Sequence, residues 1–365
     1  MSISVARASA RRANAAVAAL TIFWTGTAAA EFAGYDIPLI PYESVPNFLK
    51  YSPEMNLGEV LGVAVNSHGR IMVLNHPGSA SNGGPLYGNA TSQLLEFDEN
   101  GNFLREIGQN VYGLGYSHSI RYDKYDNLWL VDKGAHTVIK FDPAGYTVMN
   151  LGRRPEGFDE YEHVEQDEAN AVDGFFNGPS DVTWDQDDNI YVSDGYVNSR
   201  VAKYDKHGNW VKSWGSFGDA PGEFNLLHSI AADRDGNIYV ADRSNRRIQV
   251  FDTEGSLLRI IVTNAPFDKS MQPVLGNVNP RQPDETRPWA LCITDSSPQY
   301  LWVADEHPGR IYKLSLDGKI LGMLGTSGKQ LGQFNWIHGL DCSQEGVLYV
   351  ADLNNWRLQK LILNP

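Results

Sequence analysis

Three of the nine histidines in the chain, His118, His228 and His338, recur at a constant interval of 110 residues (118 to 228, 228 to 338). Each stands in a similar setting: YSHSIRYD, LLHSIAAD and WIHGLDCS. Three converging imidazoles leave one position of a tetrahedral ion free for water or substrate, which is the ligand set of a catalytic zinc site. Nitrogen-only ligation suits zinc best and is also compatible with copper, nickel or iron. Single histidines usually serve as hydrogen-bonding residues of a wet channel, but that role gives no reason for a shared interval.

An interval this regular has to be set by a repeat of the fold. The lines LWLVDKGAHTVIKFD (128–142), IYVSDGYVNSRVAKYD (190–205), IYVADRSNRRIQVFD (238–252), LWVADEHPGRIYKLS (301–315) and LYVADLNNWRLQKLI (348–362) share one pattern, and a degenerate sixth starts at Ile71. In each, an alternating apolar strand ends at an aspartate (Asp132, Asp194, Asp242, Asp305 or Asp352), then turns into a second alternating strand. Another short strand precedes this pair and a fourth follows it. Four antiparallel strands per repeat make a propeller blade, so the sequence predicts an all-β fold, a six-bladed β-propeller. The last repeat has only three strands, and the stretch from Pro46 to Tyr51 is expected to supply the fourth and close the ring.

This architecture places the three histidines on the second, fourth and sixth blades, about 120° apart around the axis. Their slot lies at the start of the innermost strand, where all three point into one mouth of the channel. The corresponding slots of the other blades read Leu61, Ser180 and Ala290. Residues just after the second strands reach the same face, namely Arg243 after Asp242 and Tyr196 two after Asp194. The longest connections, 77–92, 153–175 and 263–286, fall on this face as a rim of loops.

Composition agrees with many short strands. Of 365 residues 42% are apolar and 20% charged, with 35 glycines and 18 prolines, which excludes a disordered chain and argues against a helical bundle. A net charge of -14 repels phosphate backbones, so no nucleic-acid partner is expected. Residues 1–30 read as a secretory signal peptide: Arg7, Arg11 and Arg12 precede an apolar run, and small residues lead to cleavage near Ala30. Residues 31–57 form an N-terminal segment holding the ring-closing strand, and 58–365 the propeller. No later segment is apolar enough for a membrane anchor, so a monomer, secreted or periplasmic, is expected. In that oxidising compartment Cys292 and Cys342 form either a disulfide or two buried thiols.

The recurring V-A-D, the arginine five residues later (Arg247, Arg310, Arg357) and the G-N-I-Y lead-in resemble the NHL family of six-bladed propellers from about Gly58 onward. The three histidines, SDGYVNSR (193–200) and HSIAADRDGNIYVADR (228–243) are similar to the peptidyl-α-hydroxyglycine α-amidating lyases. That resemblance implies zinc on His118, His228 and His338, a base role for Tyr196 and substrate binding by Arg243. The implied reaction splits the C–N bond of a C-terminal α-hydroxyglycine into a peptide amide and glyoxylate, with a small molecule or peptide as substrate. A tyrosine whose ordinary pKa is about 10 needs a cation to act as a base, and Arg243 and zinc are expected to lower it.

The sequence also departs from that family. His76 stands where a second arginine is expected and Trp336 where the rim carries a methionine; both are expected to line the substrate pocket. Gly339 replaces an aspartate that helps hold a structural calcium, for which the carbonyls of Val63 and Ile120 would be further ligands. Without the carboxylate, calcium is expected to bind weakly at most. Two other readings remain open: a lactonase-like metal-dependent propeller hydrolase, and a non-catalytic NHL binding module that displays its rim.

Overall fold

The computed structural model describes residues 37–77, 92–154, 171–263, 265, 286–306 and 309–364. The expected signal peptide and most of the three rim connections lie outside these residues. Each repeat folds as a four-stranded antiparallel sheet. The innermost strands are Glu59–Val65, Ser117–Tyr122, Asp181–Trp184, Leu227–Ala232, Pro288–Ile293 and Ile337–Asp341. They touch in ring order, and the last touches the first. The molecule is therefore the expected six-bladed, all-β propeller.

Blades stack face to face, so the second strands are covered on both sides and every residue of Leu128–Asp132, Ile190–Asp194 and Ile238–Asp242 is buried. Trp129, Tyr191 and Tyr239 fill equivalent positions between blades, and each carries its polar tip to an aspartate of the preceding turn: Asp123, Asp185 and Asp233. An aromatic buried this way contributes about 1.5–3 kcal/mol, provided its polar atom finds a partner.

The aspartates that end the second strands tie the blades to the site. Asp242 accepts the backbone N–H of Asn225 at 2.8 Å and Asp352 that of Asn335 at 2.8 Å. Asp132 accepts those of Gly115 and Tyr116, both at 2.9 Å. All of these donors lie two or three residues before a site histidine. The signature arginines complete the pairs: Arg247 reaches Asp242 at 2.7 Å and Arg357 reaches Asp352 at 2.9 Å. The repeat pattern thus holds the loop that enters each histidine strand.

The ring closes four residues earlier than expected. Tyr42–Ser44, rather than the stretch from Pro46 to Tyr51, is the fourth strand of the sixth blade, pairing Tyr42 with Leu363 and Ser44 with Leu361. Pro46 has no N–H for a ladder, and Asn47 adopts a positive φ of 49°, so the chain turns there. Phe48 then packs against Tyr349, and Lys50 bridges to Asn102 of the first blade. Cys292 and Cys342 form a disulfide that links the fifth and sixth blades, a cross-link of the kind that contributes about 2–4 kcal/mol.

Candidate functional site

His118, His228 and His338 are each the second residue of an innermost strand, and at each the register with the second strand jumps. Such a bulge leaves the extra residue unpaired and re-aims its side chain. The three rings meet on the channel axis with centroids 4.7, 4.7 and 4.9 Å apart. One ring nitrogen from each lies within 4.8 Å of the others, and this is the one metal-capable group of three or more His, Cys, Asp or Glu among the described residues.

The ring orientations are set by the intervening blades. Nδ1 of His118 lies 2.7 Å from the carbonyl of Ser180, Nδ1 of His228 2.9 Å from that of Trp289, and Nδ1 of His338 2.8 Å from that of Leu61. A carbonyl only accepts, so each Nδ1 carries the proton and each Nε2 keeps its lone pair. Burial pushes all three pKa values down, that of His338 to about 3, so the imidazoles are neutral near pH 7. Neutral rings presenting Nε2 are what a metal ligates. Nε2 of His228 is buried without a hydrogen-bond partner among the described residues, an orphaned acceptor that a bound ion would satisfy. The donor set therefore fits a three-nitrogen metal centre.

The fifth-blade slot differs from the expectation. The bulge between Pro288 and Ala290 puts Trp289, not Ala290, in line with the histidines. Its ring centroid lies 4.3 Å from that of His228, and the Arg243 guanidinium lies 3.7 Å over the indole. The bulge displaces the strand by one residue, a shift that the apolar pattern PWALCI does not reveal.

Tyr196 reaches the metal group directly, its hydroxyl 2.9 Å from Nε2 of His118. Gly178 permits this approach, since a Cβ there would sit 2.6 Å from the Cβ of Tyr196 and its φ is +74°. Arg243 lies beside the tyrosine and draws its pKa down, but burial outweighs that pull and the net shift is upward. The expectation joined Arg243 with zinc: Arg243 pulls in the expected direction, and without an ion the phenol keeps its proton and donates a hydrogen bond to Nε2 of His118.

His76 is almost fully buried, with Nε2 committed to the carbonyl of Ser117 at 2.9 Å and its ring against Tyr116. It stands outside the metal group, and burial lowers its pKa to about 4, so it is neutral and does not replace an arginine's charge. Trp336 packs edge-on to Trp289 at 5.2 Å, and its buried indole N–H has no hydrogen-bond partner among the described residues. Sequence reasoning missed Lys133, which follows Asp132 as Arg243 follows Asp242, and whose ammonium lies 3.7 Å over the Tyr196 ring. Glu306, in the same slot of the fifth blade, interacts with Arg243 and Arg287. The signal that finds both is the position after each second strand, read around all six blades.

Below the histidines, Val63, Ile120 and Gly339 line a small chamber whose one lining carboxylate is Asp181. Arg121 occupies that carboxylate with two hydrogen bonds of 3.0 and 2.6 Å, and also donates to Ser229 and to the carbonyl of Leu291. A guanidinium already neutralises the chamber, so the residues do not fit a calcium ion there.

Comparison with known proteins points the same way as the geometry. Residues 176–204 and 224–251 match the NHL repeat family. The chain is 28% identical to a probable peptidyl-alpha-hydroxyglycine alpha-amidating lyase of Caenorhabditis elegans, over 86% of this chain and 85% of that protein. It is 25% identical to the peptidylglycine alpha-amidating monooxygenase of Rattus norvegicus, over 84% of this chain but only 30% of that longer protein. Among solved structures, a streptogramin B lyase superposes with a TM-score of 0.53 at 14% identity, covering 89% of this chain and 98% of that one. A gluconolactonase from Xanthomonas campestris superposes with a TM-score of 0.54 at 13% identity, covering 90% and 98%. These two share the fold alone, since one scaffold carries unlike chemistries. The chain is a six-bladed propeller whose residues 176–204 and 224–251 match the NHL repeat, with homologues named as peptidyl-alpha-hydroxyglycine alpha-amidating lyases.

Proposed function

We propose that the protein is a zinc-dependent carbon–nitrogen lyase that splits a carbinolamide such as a peptidyl-α-hydroxyglycine into an amide and glyoxylate. The observation that carries this reading is the set of three neutral, carbonyl-oriented histidines with the Tyr196 hydroxyl 2.9 Å from one of them. A divalent ion held by their Nε2 atoms supplies Lewis acidity, which makes a hydroxyl more acidic. The reaction moves one proton from the carbinol oxygen to the amide nitrogen as the C–N bond breaks and the carbonyl forms, with no net water or electron transfer. Tyr196 would relay that proton: its hydroxyl lies beside His118 and interacts with Arg243, and it would be released from Nε2 when the ion takes that lone pair. Arg243, whose guanidinium lies 3.7 Å over the Trp289 ring, would offer a fork to the substrate carboxylate.

A lactonase would need carboxylates at the level of the ion, and the slots there read Leu61, His118, Ser180, His228, Trp289 and His338. The Cys292–Cys342 disulfide supports export to an oxidising compartment after cleavage near Ala30; N-terminal sequencing of the exported protein should begin at Glu31. The decisive test is elemental analysis of the purified protein combined with a glyoxylate-release assay on N-benzoyl-α-hydroxyglycine. One zinc per chain with stoichiometric glyoxylate is expected. Absence of metal, or of release from any carbinolamide, would overturn the reading.

A further inference from the structure

Two cations converge on Tyr196, and one of them, Lys133, has no ion-pair partner among the described residues. Asp132, the carboxylate next to Lys133 in sequence, is fully buried and satisfied by the N–H groups of Gly115, Tyr116 and Ala135 and by the hydroxyl of Ser117. Elsewhere in the ring the equivalent aspartates pair with arginines, as Asp242 does with Arg247. Lys133 makes no ion pair among the described residues; its ammonium rests on the Tyr196 ring at 3.7 Å and approaches Tyr116 at 5.4 Å. Arg243 also interacts with Tyr196, and the two cations are close enough to repel one another. The nearby carboxylate Glu306 interacts with Arg243 and Arg287, and Glu59 lies 3.9 Å from Nδ1 of His76. Arg243 therefore has Glu306 for a counter-ion, whereas Lys133 has none among the described residues; a half-buried cation held near another without its own counter-ion is costly, and that cost is recovered when an anion enters beside the two.

We infer that Lys133 and Arg243 form a two-cation clamp for the carboxylate of the substrate, with Lys133 supplying the second charge that the neutral His76 does not. The clamp rests on the proposed lyase reading for the identity of the substrate, but not for the existence of the anion site. It sets a substrate class: molecules with a free carboxylate on the carbon that bears the reacting hydroxyl, in preference to their amides or esters. Lys133 is a specificity residue under this assignment, since the bond-breaking proton relay belongs to Tyr196.

The test uses the full protein and ligands that cannot react. Binding of hippurate, which has the carboxylate but no carbinol hydroxyl, is measured by calorimetry against its neutral carboxamide. The wild-type protein is expected to prefer hippurate at least about tenfold, with affinity falling as salt rises. Lys133→Met should reduce hippurate affinity about tenfold and leave the carboxamide unchanged, and Lys133→Arg should restore most of the preference. An unchanged preference in Lys133→Met, or no preference in the wild type, overturns the clamp. Because hippurate is not turned over, a protein that releases no glyoxylate yet shows this discrimination refutes the lyase reading while upholding the clamp. Thermal unfolding of both variants separates a lost charge from a lost fold.

Discussion

The same slot, at the entry to the innermost strand, does two different jobs in alternate blades. In the second, fourth and sixth blades it delivers an imidazole to the axis; in the first, third and fifth it delivers a backbone carbonyl that orients the imidazole of the blade before it. The first job depends on the side chain and the second does not, which is why Leu61, Ser180 and Trp289 can differ so widely. Chemistry in this ring is therefore concentrated at three side chains and supported by three peptide groups that any residue would supply.

The largest effect should come from the side-chain half of that division. His228→Ala removes one of three nitrogen ligands at the channel mouth, and zinc affinity is expected to fall by about 100-fold or more, with glyoxylate release lost alongside. The fold should survive, because the rings cluster on the axis rather than within a blade core. Metal titration and a thermal melt of the same sample check this, and global unfolding would mean that the histidines are structural.

Next comes the scaffold that delivers the slot. Asp242 is fully buried, pairs with Arg247 at 2.7 Å and holds the N–H of Asn225 ahead of His228. Arg247→Met leaves that carboxylate without its cation and is expected to cost about 3 kcal/mol in urea unfolding. A loss below about 1 kcal/mol would show that backbone donors alone suffice.

Acid should distinguish the two kinds of slot. In the metal-free protein His338 titrates at about 3 when folded, against about 6.5 when unfolded, chiefly through burial. The unfolded chain then takes the proton first, so this stabilising contribution is fully present above about pH 6.5 and is lost as pH falls toward 3. Each such histidine contributes a slope of up to about 1.4 kcal/mol per pH unit, and the carbonyl slots contribute none. Urea midpoints between pH 7 and 4.5 should flatten by one histidine's share in His338→Gln; an unchanged slope would exclude this origin.

The difference between slots also explains what could be read in the sequence. The 110-residue interval survives in the sequence because a side-chain ligand has to be encoded, and the buried aspartates and signature arginines show the blades for the same reason. Tyr196 and Arg243 were legible from the D-G-Y and V-A-D strings, and both lie at the mouth. A carbonyl leaves no trace in residue type, so the partners of the Nδ1 atoms were invisible, and a one-residue bulge hid Trp289 behind Ala290. The closing strand was misplaced because three residues, Tyr42–Ser44, are too short for a periodic signal. Lys133 was overlooked since its blade has no arginine after the aspartate to draw attention to the slot. The upward shift of Tyr196 arises from burial that only the assembled channel creates.

The smallest effect tests the carbonyl half. Ser180 orients His118 through its carbonyl at 2.7 Å, while its hydroxyl donates to the carbonyl of Leu227 at 2.9 Å, at the head of the next blade. Ser180→Ala removes the hydroxyl and keeps the carbonyl. Stability is expected to drop by about 1 kcal/mol, the usual net contribution of one such hydrogen bond. Zinc affinity and turnover should stay within about twofold of the wild type, because no atom that touches His118 has been removed. Parallel measurement of melting temperature and metal affinity separates the two quantities. If affinity falls with stability, the slot acts through its side chain in every blade, and the division between ligand and carbonyl positions fails.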